Sequence, residues 1–385
     1  MAALSLVHPG RLTTPPPADG SVGQTRHVTD TGILGSARVV VAFFRTHPRL
    51  TKAIQAALVA ATVGLCAWAI VDQWHKAGPR LAHARPGYLA AAFLMKGDEF
   101  AHLIKMGRTQ LQDAVPMTLG QEFTAFAHTM LEDIDRLTEA QALIREINMG
   151  ATAIGTRINT PPGYAEVVCR ELSRITGLPL ITAPDLVEAT ADTGAFVQLS
   201  GVLKRCAVKL SKICNDLRLL SSGPRAGLGE INLPPMQPGS SIMPGKVNPV
   251  IPEVVNQVCF DVIGGDVSVT LAAEAGQLQL NVFEPVIAYR LLRSIEMMKN
   301  GCVVLRQRCV EGISANPGRM RQFVEHSIGI VTALVPVIGY EHATAVAKEA
   351  LESGRGVYEI VMSRGLLTRE QLDEVLDPEK MIGRG

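Results

Sequence analysis

The window from Gln237 to Glu253 combines loop-forming residues with side chains that can take part in chemistry. Its sequence is QPGSSIMPGKVNPVIPE, and its four prolines and two glycines exclude a regular helix or a central strand. Two hydroxyls, a cation and an amide stand among them, on Ser240, Ser241, Lys246 and Asn248. Lysine offers a point charge to a carboxylate, and asparagine adds donor and acceptor groups. The window predicts a shaped loop that binds a small carboxylic acid beside a hydroxyl able to move a proton.

This window and several other segments resemble one enzyme superfamily. GSSIMPGKVNP is similar to the signature loop of the aspartase/fumarase superfamily, and its flanks GEINLP and VIPEVVNQV most resemble the aspartate ammonia-lyases. Further similar segments are GRTQLQDAVP at 107–116, ATADTGAFVQLSG at 189–201 and GQLQLNVFEPV at 276–286. The alternative is a Pro/Gly-rich connector between helices, which is ordinary where such a cluster stands alone. The resemblance covers residues 91–385.

The resemblance implies a lyase that eliminates ammonia from L-aspartate to give fumarate. Ser240 would be the general base, Ser241 would bond the carboxylate next to the reacting carbon, and Lys246 and Asn248 would bind the other carboxylate. A hydroxyl is too weak a base at neutral pH, so backbone N–H groups and positive charge must stabilise its anion. The alternatives are a turn-forming serine at 240 and a solvated surface lysine at 246.

The segment GRTQLQDAVP at 107–116 resembles the superfamily's second motif. This resemblance implies that Thr109 and Gln110 contact the leaving group and orient the substrate. Many relatives carry histidine where this chain has Gln110, and there it pairs with a glutamate that corresponds to Glu253. Glutamine cannot titrate, so no proton relay passes through this position. An amine leaves already protonated and needs less acid help than hydroxide does, which favours ammonia elimination. A fumarate hydratase or a related dicarboxylate lyase is the alternative. Asn281 and Glu284 are interpreted as supporting or helix-packing polar groups.

Long helices must position these loops. Apolar residues spaced alternately by three and four predict a bundle helix, and they are Phe196, Leu199, Leu203, Cys206, Leu210, Ile213, Leu217 and Leu220. A second stripe consists of Phe123, Phe126, Met130, Leu131, Ile134, Leu137, Ile144 and Ile147. A third runs from Pro252 to about Arg308, and Pro285 predicts a kink or a break in it.

Shorter elements surround these helices. Phe100, Leu103 and Ile104 predict a helix that ends at Gly107, followed by a polar loop over 107–116. Residues 178–192 and 221–249 are also predicted as loops. Beyond 310 the pattern predicts short helices with turns at 316–318 and near Gly339. Thr368, three residues before Gln371, predicts a helix start.

The first 90 residues depart from the resemblance. They contain no SxNDxxPT segment, the superfamily's first motif, which supplies hydroxyl and amide donors to the substrate. The divergence suggests a truncated or replaced N-terminal region, so a catalytically impaired paralogue is another alternative. Residues 1–35 are predicted to be a flexible arm without a signal peptide. The apolar run 53–71 is long enough to cross a bilayer. We expect a core helix there, and a membrane tether is the minor alternative.

Composition limits the classes of partner. A net charge of +1, from 37 basic and 36 acidic residues, leaves no electrostatic footprint for nucleic acid. The seven cysteines show no CxxC pair and no zinc-ligand spacing, so we expect free buried thiols in a reducing, cytoplasmic compartment. We expect no metal and no cofactor.

These patterns predict a mainly α protein, a long-helix bundle of the aspartase/fumarase type with a small helical C-terminal domain. The predicted divisions are a divergent N-terminal region at 1–90, a central bundle domain at 91–309 and the C-terminal domain at 310–385. Such long apolar seams usually need partners. The resemblance implies a homotetramer with a twenty-helix core, in which three subunits contribute to each active site.

Overall fold

The computed structural model describes residues 87–239, 242–376 and 380, and its elements are mainly helical. The α-helices are α1 (Gly87–Glu99), α2 (Leu119–Leu143), α3 (Tyr164–Thr176), α4 (Glu188–Ala191), α5 (Gly194–Leu220), α6 (Val250–Glu274), α7 (Glu284–Arg308), α8 (Pro317–His326), α9 (Val335–Ile338), α10 (Tyr340–Ser353), α11 (Val357–Ser363) and α12 (Arg369–Val375). The strands are β1 (Ile104–Thr109), β2 (Gln112–Thr118), β3 (Glu146–Ile147), β4 (Ile181–Thr182), β5 (Ile231–Asn232) and β6 (Ser314–Ala315). Two 3₁₀ helices span Val310–Gly312 and Ile328–Leu334.

Helix α5 lies at the centre of a long-helix bundle. It packs against α2 and α6, and α7 packs against α6. Every apolar residue of the predicted stripe from Leu199 to Leu220 is buried, while Phe196 at its start is 39% exposed. The prediction of a mainly α long-helix bundle is confirmed.

Helices α1 and α2 cross at two glycines. A Cβ on Gly120 would lie 2.4 Å from the Gly97 carbonyl oxygen. A larger residue at position 120 would therefore push the two helices apart and break this contact. Beside the crossing, Phe93, Phe123 and Phe126 pack with ring centroids 5.7–6.1 Å apart. Thr118 and Gln121 form a capping box that fixes the first turn of α2.

Two predictions around residue 107 are wrong. The helix ends at Glu99 rather than Gly107, and 107–116 is not a loop but most of an antiparallel hairpin, in which Thr109 pairs with Gln112. Pairing with β2 satisfies the backbone groups that a helix would have satisfied. Gly107 sits at the register shift, where a Cβ would lie 2.8 Å from the Val115 carbonyl oxygen.

The second predicted stripe runs past the end of its helix. Helix α2 ends at Leu143, Ile144 is its C-cap, and Ile147 lies in β3, which pairs in parallel with β4. The segment 178–192, predicted as a loop, therefore contains β4 and the single turn α4. Both are too short to show a periodic pattern.

The break near Pro285 is confirmed. Helix α6 ends at Glu274 and α7 begins at Glu284, so Pro285 lies in the first turn, where its missing N–H leaves no hydrogen bond unmade. By length and composition α6 could cross a membrane, but a core helix passes the same test, and α6 packs on both α5 and α7. The run 53–71 lies outside the described residues.

The C-terminal helices enclose a second hydrophobic core. It includes Val346, Ile360 and Leu372, and β1 contributes Met106 to it. Thr368 and Gln371 form the predicted capping box at the start of α12. Helix α8 begins at Pro317, at the predicted turn. The domain limits 1–90, 91–309 and 310–385 stay a prediction.

Candidate active site

The loop before α6 doubles back on itself. A Cβ on Gly239 would lie 3.3 Å from the Lys246 carbonyl oxygen, so these two positions are close neighbours. Gly245 has a φ of 81°, a left-handed conformation that glycine adopts without steric cost. Ser240 and Ser241 follow Gly239 and lie outside the described residues.

The cation and the amide of this loop stand at its end. Lys246 is exposed, and its backbone N–H donates to the Met243 carbonyl at 3.2 Å. Asn248 is half-buried, and its carbonyl accepts from the Val250 N–H at 2.9 Å, at the first residue of α6. The helix therefore fixes the backbone of Asn248, while the Lys246 side chain extends into solvent.

Thr109 and Gln110 lie at the exposed tip of the β1–β2 hairpin. Thr109 is the last residue of β1, and Gln110 and Leu111 form the two-residue turn. Both turn residues have positive φ, 52° and 63°, as in a type I′ turn. Within the described residues, neither Thr109 nor Gln110 hydrogen-bonds Lys246 of the same chain. That the two motifs meet in one site stays a prediction.

Glu253 lies in the first turn of α6 and faces α5. Its carboxylate is 3.9 Å from the Arg218 guanidinium, which also donates to Asn256 at 3.3 Å. Asn256 is buried and donates to Ser211 and Asn215 of α5. These polar contacts fix the start of α6, and so the end of the loop, against the bundle.

A buried ion cluster supports the hairpin, and sequence analysis missed it. Lys105 Nζ lies 2.6 Å from the Glu122 carboxylate and 2.8 Å from that of Glu230. Arg108 lies 2.6 Å from Glu230, whose side chain is fully buried. The two cations and two carboxylates balance, which makes their burial tolerable. The sequence signal that could have indicated this cluster is the pair of opposite charges in two motif segments, Arg108 in GRTQ and Glu230 in GEINLP.

Asn281 has the packing role that was predicted for it. It is buried, and its amide donates to the Ala272 and Ala273 carbonyls at the end of α6. Its oxygen accepts from the Phe283 N–H just before α7. Glu284 is exposed in the first turn of α7. Asn281 therefore joins the ends of two bundle helices.

Side chains suited to a metal ion do not gather in the described part of the chain, where no group of three or more His, Cys, Asp or Glu could hold one. The cysteines from Cys169 to Cys309 are free thiols, as predicted, and Cys66 lies outside the described residues.

Comparisons with known proteins assign the family. The family described as Lyase matches residues 84–264, and that described as Fumarase C C-terminus matches residues 330–383. An aspartate ammonia-lyase from Pseudomonas canavaninivorans is 63% identical over 295 residues. The chain belongs to the aspartase/fumarase superfamily. The resemblance noted in the motifs is confirmed.

The relatives in this superfamily include both ammonia-lyases and fumarases. The alignment with the Pseudomonas enzyme covers 76% of this chain and 62% of that enzyme. An aspartate ammonia-lyase from Helicobacter pylori is 62% identical, with 76% and 63% covered. The crystal structure of the class II fumarase from Schistosoma mansoni has a TM-score of 0.75 at 35% identity, covering 77% of this chain and 65% of the fumarase.

The superfamily match thus spans less than two thirds of these relatives. The chain aligns with about 62% of the length of the Pseudomonas enzyme. The aligned part contains the hairpin turn and the loop before α6, because the Lyase match runs from residue 84 to residue 264. Both motifs that carry candidate site residues therefore lie in the shared region.

Proposed function

We propose that the chain is an aspartate ammonia-lyase, which eliminates ammonia from L-aspartate to give fumarate. The observation that carries this proposal is the 63% identity to an aspartate ammonia-lyase across a region that includes both site motifs. The identity to the class II fumarase structure is 35%, which favours the ammonia-lyase over a hydratase.

Ser240 is the proposed general base. It removes a proton from the carbon next to the side-chain carboxylate, and the resulting charge spreads into that carboxylate as an aci-carboxylate. Donors must face this charge in a site closed to water. In this proposal Ser241 hydrogen-bonds that carboxylate, and Lys246 and Asn248 bind the other one. The Lys246 side chain is exposed, so its ammonium group is accessible to an anion.

The leaving group departs without a titratable relay. Gln110 does not ionise at neutral pH, so it cannot pass a proton to the leaving group. Glu253, the partner of a histidine in many relatives, lies 3.9 Å from Arg218. Glu253 is thus engaged with a guanidinium of the neighbouring helix and not with a histidine. Ammonia leaves as a protonated amine, so this arrangement suits it better than hydroxide.

The assembly proposed is a homotetramer in which three subunits contribute to each site. Phe260, Val267 and Leu271 lie on one face of α6 and are 58–61% exposed. Large apolar side chains in a row on a bundle helix favour burial against another subunit. The free thiols favour the cytoplasm as the compartment.

The decisive assay follows fumarate by its ultraviolet absorbance with L-aspartate and, separately, with malate. Turnover of aspartate alone supports the proposal, and turnover of malate alone supports the hydratase. Ser240→Ala should lower kcat by at least about 10²–10⁴-fold, the usual contribution of a general base. Ser353→Ala, on the exposed end of α10, is the matched control.

An impaired paralogue is the second candidate, favoured by the absence of the SxNDxxPT segment from residues 1–90. Its expected signature is no turnover with either substrate alongside an intact tetramer by light scattering. Near-parent kcat in Ser240→Ala would remove Ser240 as the base.

A further inference from the structure

The Gln110–Leu111 turn places two non-glycine residues in a left-handed backbone conformation that is unfavourable for them. Gln110 and Leu111 both have positive φ, a combination that favours Asn-Gly in two-residue hairpins. Leu111 is 68% exposed, so burial of its side chain does not offset the strain. A conformation of this kind persists only where the surroundings impose it, and such strain concentrates at functional sites.

Glu230 is the rigid point from which the hairpin is held. Its side chain is fully buried. Its backbone N–H donates to the Leu220 carbonyl at the end of α5, and its carbonyl accepts from the Asn316 N–H just before α8. Glu230 is thus fixed between two helices before its carboxylate meets any cation.

Arg108 connects the fixed Glu230 to the turn. It directly precedes Thr109, lies 2.6 Å from the Glu230 carboxylate and stacks on Phe323 of α8 at 5.1 Å. Arg319 stacks on the same ring at 4.4 Å and donates to the Gly227 carbonyl, three residues before Glu230. The guanidinium of Arg108 is therefore held by charge and by an aromatic face, and both holders belong to the same fixed region.

We propose that Arg108 and Glu230 are positioning residues that hold the strained Gln110–Leu111 turn so that Thr109 and Gln110 meet the substrate. The inference rests on the proposed function, because only there do Thr109 and Gln110 bind aspartate. Neither Arg108 nor Glu230 needs to touch the substrate. Their effect is on the backbone of the next two residues.

The test replaces the buried carboxylate by its neutral isostere. Glu230→Gln should raise KM for L-aspartate about tenfold and lower kcat. It should also accelerate hydrogen–deuterium exchange in the hairpin peptide that contains residues 109–112. Arg108→Lys is the milder second variant with the same expected signature, since it keeps a charge but loses the planar fork.

A pair of rescue variants separates positioning from general stability. Leu111→Gly favours positive φ in the turn itself, so in the Glu230→Gln background it should restore KM and slow exchange. Arg157→Gly is the matched control, because Arg157 also has a positive φ of 59° but forms its ion pair with Glu166 of α3 and not with the hairpin. It should raise the melting temperature of Glu230→Gln without restoring KM.

Each outcome decides the inference. Equal recovery of KM by both glycine variants would show a merely structural role and overturn it. Unchanged exchange at 109–112 in Glu230→Gln and Arg108→Lys would overturn it as well. If the parent chain turns over neither aspartate nor malate, the proposed function fails. The exchange results for the four variants then decide alone whether Arg108 and Glu230 hold the turn.

Discussion

Raising the pH from 8 to 10 should destabilise the native chain through the thiols of the bundle. Burial raises the pKa of Cys206, Cys259 and Cys309 to about 12 and that of Cys302 to about 11, against an ordinary value of 9.0. The native state therefore keeps protons that the unfolded chain releases above pH 9. Because the unfolded state then binds fewer protons, the free energy of unfolding falls as pH rises through this window. Below about pH 8 these thiols are protonated in both states and contribute no pH dependence.

The size of the effect follows from one thiol. At pH 10 a thiol with a pKa of 9.0 in the unfolded chain is about ten times more ionised than protonated, and this stabilises the unfolded state by about 1.4 kcal/mol. Cys259→Ala removes one such group from a fully buried position on α6. Between pH 8 and 10 the variant should lose about 1.4 kcal/mol less stability than the parent. The cavity left by the substitution is the same at both pH values and cancels from this difference.

Urea unfolding followed by circular dichroism at pH 8 and pH 10, at one fixed protein concentration, measures these four free energies. Val262→Ala is the matched control, because Val262 is equally buried on the same helix and carries no proton to lose. Its cost should be independent of pH. If the parent and Cys259→Ala lose the same stability between the two pH values, the Cys259 thiol does not keep its proton in the native state.

Three further perturbations have expected outcomes. Gly120→Ala should destabilise by about 1–3 kcal/mol, because its Cβ would enter the backbone of α1, whereas Gly201→Ala, with open space around it, should stabilise by about 0.5–1 kcal/mol. Urea unfolding of both variants checks this, and equal effects would contradict the close crossing. Thr118→Ala should cost about 1 kcal/mol by removing the capping box of α2; an unchanged urea midpoint would contradict it. Lys246→Ala should raise KM for aspartate about tenfold to a hundredfold, as expected for a hydrogen bond between charged groups. Steady-state kinetics with Lys348→Ala as the surface control tests this, and an unchanged KM removes Lys246 from the site.

The bundle helices could be predicted because burial imposes a period on the chain. The apolar residues of the stripe from Leu199 to Leu220 are spaced alternately by four and three, and each member of the stripe is buried. Pro285 marked the break before α7 because proline cannot continue a helix interior. Both signals are local, so one segment carries all the information that the prediction needs.

The hairpin could not be recognised in the same way. Its turn lacks the Asn-Gly or Asp-Gly pair that identifies a two-residue hairpin, and its strands do not alternate regularly between apolar and polar residues. Met106 enters the C-terminal core while Lys105, next to it, is equally buried in an ion cluster. The ion partners of Lys105 lie 17 and 125 residues away along the chain, and the core that Met106 enters is formed largely by residues from Phe323 onward, so no window around 105 could reveal either burial.

The same reasoning explains which part of the candidate site was predictable. Thr109 and Gln110 were found through a motif, because the residues that would touch a substrate are contiguous in sequence. Arg108 and Glu230 were missed as a pair, since the 2.6 Å contact between them exists only when the end of α5 and the start of α8 meet. A motif therefore identifies what a loop can bind, whereas the fold decides whether that loop is held in place. In this chain the residue held by the fold and the first candidate substrate-binding residue are adjacent: Arg108 is fixed by Glu230 and Phe323, and Thr109, the next residue, is exposed.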